Sequence, residues 1–109
     1  MIDWDRTIAL SLTDQKTTEQ KALKTAEETG ELAQAVLSSG GAHACGYKGL
    51  DKTDIIKEGV DVVQCAISVI AKAFEEEGFP REEFSQIYAD KLNKWEAKQN
   101  SDKDERRGG

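Results

Sequence analysis

Asp54-Ile55-Ile56-Lys57-Glu58-Gly59-Val60-Asp61-Val62-Val63-Gln64-Cys65-Ala66-Ile67-Ser68-Val69-Ile70-Ala71-Lys72 decides how this chain folds. On a helix turning about 100° per residue, Asp54, Glu58, Asp61, Cys65, Ser68 and Lys72 fall on one narrow stripe. Nearly every other position is apolar, and a helix apolar over most of its circumference is buried on most sides. Glu58 and Asp61 are then acids on the most buried helix of a small protein. Ionised acids in such a place must be paired or bind a metal. Asp61, Gln64 and Ser68 interrupt the apolar run, which is too short and too polar to span a bilayer.

Outward from this stretch the pattern stays helical. Asp51 or Thr53 can cap the helix, and Gly78 followed by Pro80 predicts its end near Glu77. Upstream, Thr17-Thr18-Glu19-Gln20 has the form of a capping box, with Thr17 as N-cap and Gln20 at the third helical position. The helix it opens is predicted to run to about Ser38. Its expected inward face is Ala22, Leu23, Ala26, Gly30, Ala33 and Leu37. A short helix is expected from Trp4 to about Leu12, with Ile8 and Leu12 on one side. Another is expected from Arg81 to about Gln99, with Phe84, Ile87, Tyr88, Leu92 and Trp95 as its stripe. The fold class is therefore all-α: an antiparallel bundle of about four helices over residues 1–100. Residues 101–109 read as a disordered charged tail.

Bulk properties narrow the function. A chain of 109 residues suggests one domain, small enough that a partner subunit would help it bury a core. Its net charge of -6 argues against stable binding of a long phosphate backbone. A small phosphorylated substrate remains compatible, because a bound divalent ion reverses the local charge. Cys45 and Cys65 without a secretory context make no disulfide framework. The acidic start Met1-Ile2-Asp3-Trp4-Asp5 lacks a signal-peptide pattern, so the expected compartment is the cytoplasm, with no membrane partner.

Residues three apart on a helix are neighbours, so Glu28 converges with Glu31, and Glu58 with Asp61. On antiparallel helices joined by one loop the two pairs can face each other. The result is an all-oxygen set of the kind magnesium prefers, with manganese able to take its place. Glu28 and Glu31 lie opposite the main apolar face of their helix. They are buried only if another helix or subunit covers that side. The alternative is that these acids are a solvated face and the chain a non-catalytic helical dimerisation module. A di-iron carboxylate bundle would need Glu-x-x-His pairs, and the sole histidine, His43, falls in the glycine-rich loop. His43 and Cys45 do not complete a zinc site.

Glu27-Glu28-Thr29-Gly30-Glu31-Leu32, then Glu58-Gly59-Val60-Asp61-Val62-Val63, resembles the signature of the MazG-like all-α nucleoside triphosphate pyrophosphohydrolases. The likeness covers roughly residues 16–98. It implies magnesium held by Glu28, Glu31, Glu58 and Asp61, a homodimer or dimer of dimers, and hydrolysis of a nucleotide substrate between its α and β phosphates. Glu27, or one of the ligands, would then orient the attacking water or take its proton. The family carries a basic residue on the following helix, often with Asn and Arg after it. Here Lys91, beside the stripe between Tyr88 and Trp95, is the expected phosphate contact. Lys94 and Lys98 share its face. The chain departs from the family pattern in having Trp95 where Asn is usual and Lys98 where Arg is. Tyr47 and Lys48, on the loop joining the two acidic helices, are expected near the substrate.

Overall fold

The computed structural model describes residues 1–40 and 51–108, and all its regular structure is helical: α1 (Trp4–Thr13), α2 (Thr18–Ser39), α3 (Lys52–Ala73) and α4 (Arg81–Gly108). No strand occurs among the described residues. The chain divides into two compact units, Met1–Phe79 and Pro80–Gly109, where the sequence suggested one helical domain over 1–100.

The caps of α2 and α3 are among those the sequence announces. Gln20 N donates to Thr17 Oγ1 (3.1 Å) and Thr17 N donates back to Gln20 Oε1 (2.9 Å), closing the capping box of α2. Asp51, not Thr53, caps α3: its Oδ1 accepts from the amides of Thr53 (2.8 Å) and Asp54 (3.3 Å). Asp3 caps α1 by accepting from Arg6 N.

Two helix ends differ from expectation. α3 stops at Ala73, short of Glu77. Glu75, Glu76 and Glu77 would crowd carboxylates onto the negative end of the helix dipole. The chain turns there instead, with Gly78 at φ +90° and its amide donating to Phe74 O (2.8 Å). α4 runs past Gln99 to Gly108, so the stretch read as a tail is helical backbone over residues 101–108.

In the first unit α3 packs against both α1 and α2. Lys21 of α2 meets Ser68 of α3, while Glu28 and Glu31, further along α2, meet Glu58, earlier in α3. The two helices are therefore antiparallel. Among the described residues, Ile8, Ala35, Ile67 and Ala71 are the buried apolar ones. Trp4 and Phe79 bring their rings to 6.3 Å at 51°, tying the two ends of the unit together.

The predicted inward face of α2 is the outward one. Leu23 is 73% exposed and Leu37 49%. Ala22, Ala26, Gly30 and Ala33 are exposed too, and a Cβ placed on Gly30 would meet nothing within 4 Å. The face turned to α3 is Lys21, Thr25, Glu28, Leu32, Ala35 and Ser38. α3 behaves likewise. Its polar stripe of Asp54, Glu58, Asp61, Cys65, Ser68 and Lys72 is half-buried throughout, whereas Ile56, Val60 and Val63 are exposed. Only one face of each helix can enter the seam between them, and on α2 it is the one that carries buried Lys21, Glu28 and Ser38 beside Ala35. Ile56, Val60 and Val63 join Ile2 and Leu10 in lining an open groove of about 1030 Å³ between α1 and α3. No helix of the described residues is long and apolar enough to cross a membrane.

Candidate metal centre

The seam between α2 and α3 holds two polar clusters. At one end Lys21, 4% exposed, donates from Nζ to Asp14 Oδ2 (3.1 Å) and Ser68 Oγ (2.6 Å). It thereby ties the segment between α1 and α2 to α3. A buried ammonium is tolerable only with such partners. The amide of Lys16 first, then the Lys21 ammonium, hold the Asp14 carboxyl below the usual carboxylate range.

The second cluster is acidic. Glu28, Glu31 and Glu58 each bring a carboxylate oxygen to within 4.8 Å of the others. Their helical positions explain the meeting: Glu28 and Glu31 are neighbours one turn apart. α3 covers the side of α2 that carries them, which is the condition the sequence left open. Glu28 is 7% exposed, and its Oε2, like Glu58 Oε2, is buried without a hydrogen-bond partner. Buried carboxylate oxygens are rarely left so, because the desolvation cost is not recovered. Lys24, one turn earlier on α2, places Nζ 3.2 Å from Glu28 Oε1 and 3.4 Å from Glu27 Oε1.

These neighbours set the protonation of the pair. The Lys24 ammonium holds the Glu28 carboxyl below its ordinary range. The adjacent Glu28 carboxylate pushes Glu31 up, with burial and the charges of Glu58 and Glu27 adding to it. Burial, then the charges of Glu28 and Asp61, also raise the Cys65 thiol, which keeps it protonated and a poor ligand at neutral pH.

Of the four expected ligands, three converge and the fourth does not join them. Asp61 is half-buried on α3, three residues past Glu58. On antiparallel helices that step of about 4.5 Å leads away from Glu31 and toward the Lys24 end of α2. Glu27 also lies outside the group, its side chain 58% exposed beside Lys24. Lys91, Lys94 and Lys98 are exposed on α4, in the second unit. Tyr47 and Lys48, with His43 and Cys45, lie outside the described residues.

Sequence reasoning missed two cations, Lys21 and Lys24. The signals were present. Lys21, Glu28 and Ala35 recur at seven-residue spacing, marking one face of α2, and Lys24 stands four before Glu28, the spacing of a helical ion pair.

The donor set fits a hard divalent cation. All three groups are carboxylates, and two of them present buried oxygens with nothing to accept from. Comparison with protein-family models, with curated proteins and with solved structures finds no match for this chain.

Proposed function

We propose that the protein is a magnesium-dependent hydrolase that converts nucleoside or deoxynucleoside triphosphates and water into the monophosphate and pyrophosphate. The observation that carries this reading is the acidic group, with Glu28 buried and Glu31 and Glu58 half-buried, and its two unpartnered oxygens, Glu28 Oε2 and Glu58 Oε2. Glu28, Glu31 and Glu58 would hold the metal, with Asp61 a further ligand one turn along α3. The ion, magnesium or manganese, would supply positive charge against the triphosphate and make a neighbouring water more acidic. Glu27, solvent-accessible and steadied by Lys24, takes the proton of the attacking water. The resemblance to the MazG-like pattern assigns the phosphate contact to Lys91, as a point charge, with Lys94 and Lys98 as its companions. The likeness of the Glu27–Leu32 and Glu58–Val63 segments to the MazG-like signature supports attack at the α phosphorus. A triphosphate substrate also fits a cytoplasmic protein.

The exposed apolar faces of α2 and α3 support assembly into a homodimer or dimer of dimers. They equally favour a second reading, a non-catalytic dimerisation module. Magnesium separates the two: the hydrolase gains several degrees of melting temperature at low millimolar magnesium, and the module gains none. Product analysis tests the chemistry. With a panel of triphosphates and magnesium, orthophosphate should appear only after inorganic pyrophosphatase is added, and Lys91→Ala should slow the reaction more than Lys98→Ala. Nucleoside diphosphate and orthophosphate without that helper enzyme would overturn the proposed bond cleavage.

A further inference from the structure

Lys24 touches the acidic group at its most buried member. Glu28 is divided between two environments: Oε1 faces the Lys24 ammonium at 3.2 Å, while Oε2 is buried with no hydrogen-bond partner. The lysine itself is 43% exposed, on a flexible four-carbon stem that can swing into solvent. Lys21, the other cation of the seam, is engaged by Asp14 and Ser68. A carboxylate that shares its charge with an ammonium attracts a second cation less strongly. The attraction is also less screened than at a surface pair, because Glu28 is buried.

We infer that Lys24 is an internal competitor for the divalent cation at Glu28, and that it sets the metal affinity of the site below what the carboxylates alone would give. The inference rests on the metal reading above. It makes Lys24 a tuning residue rather than a ligand. It differs from the other role such a lysine can play, that of orienting a ligand from behind, where removal weakens metal binding about 10–100-fold.

The test is calorimetric titration of manganese into the full chain, for the wild type, Lys24→Met, Lys24→Arg and Lys72→Met. Removing one charge beside a partly solvated divalent site should tighten binding about fivefold. Lys24→Arg should stay near the wild type. Lys72, paired with Glu75 at 2.9 Å and roughly 20 Å along α3 from Glu58, is the control and should change nothing. Melting in the presence of EDTA gives a second readout. Lys24→Met should melt below the wild type, and saturating manganese should close that gap. Equal or weaker manganese binding by Lys24→Met overturns the inference and leaves the metal site standing. Absence of manganese binding by the wild type overturns both.

Discussion

The two faces of α2 are built for opposite purposes. The face against α3 carries Lys21, Glu28 and Ser38, all buried, while the face against solvent carries Leu23, Ala26, Ala33 and Leu37. In an ordinary two-helix seam the distribution would be reversed, since apolar burial drives folding and buried charge opposes it. Two consequences follow. The inner face accepts like charges from both helices, which is tolerable when a cation joins them. The outer face leaves Leu23, Ala26, Ala33 and Leu37 exposed, the surface that the proposed assembly would cover. Inner and outer faces thus carry the two halves of the proposed function, chemistry and assembly.

The largest expected effect is on the inner face. Glu31→Gln or Glu58→Gln should lower kcat/KM at saturating magnesium by more than about 100-fold, since losing even a group that supports a ligand costs about 10–100-fold. Helical circular dichroism should be retained, because neither helix depends on the charge for its propensity. Asp61→Asn sharpens the comparison. An equal loss would bring the fourth acid into the site, whereas near-normal rates in all three variants would return the inner face to a purely structural role.

On the outer face, Leu23→Glu with Leu37→Glu places charge on a surface that the proposed assembly covers. Light scattering at micromolar concentration should give a dimer or larger for the wild type and a monomer for the double variant. A wild-type monomer would break the comparison at its outer half. A smaller effect is expected from Lys21→Met, which keeps the aliphatic stem but leaves Asp14 and Ser68 without the ammonium. The melting temperature should fall by about 5–10 °C. Asp14 is held below its ordinary range in the folded state, so its contribution is complete above that range and is lost as pH falls through the lowered value. The difference between wild type and Lys21→Met should therefore narrow below about pH 4.

How much of this was legible in the sequence follows from what each signal encodes. Caps are local chemistry, and Thr17 with Gln20, and Asp51, could be read from a few residues. The meeting of Glu28, Glu31 and Glu58 was legible as a possibility, because helical spacing pairs Glu28 with Glu31 and an antiparallel hairpin can bring Glu58 opposite them. The orientation of α2 was not. An apolar stripe says that a face leaves water, not which neighbour takes it, and the stripe from Ala22 to Leu37 is not turned to α3 within its own chain. Helix ends governed by charge were illegible for a related reason: the acids at Glu75–Glu77 compete with a periodicity that would have continued the helix. Asp61 stands outside the group of mutually close oxygens, because Glu-x-x-Asp spacing places neighbours on one helix and leaves their exact level against the other to the packing.

The smallest effect concerns the charge balance of the inner face itself. Glu31 is raised above the ordinary carboxylate range, first by the Glu28 carboxylate beside it and then by burial and the charges of Glu58 and Glu27. A carboxyl whose pKa is higher folded than unfolded destabilises the fold once pH exceeds its unfolded value, and the penalty is complete above the folded value. At neutral pH, with EDTA present, Glu31→Gln removes this penalty and should raise the melting temperature by a few degrees. As pH falls below the ordinary carboxylate range, Glu31 is protonated in both states and the gain should vanish. Millimolar manganese should invert the order, because the wild type then binds the ion through a group the variant lacks. A variant that melts below the wild type in EDTA at neutral pH would mean that Glu31 is stabilised by its surroundings. The inner face would then have no need of a cation.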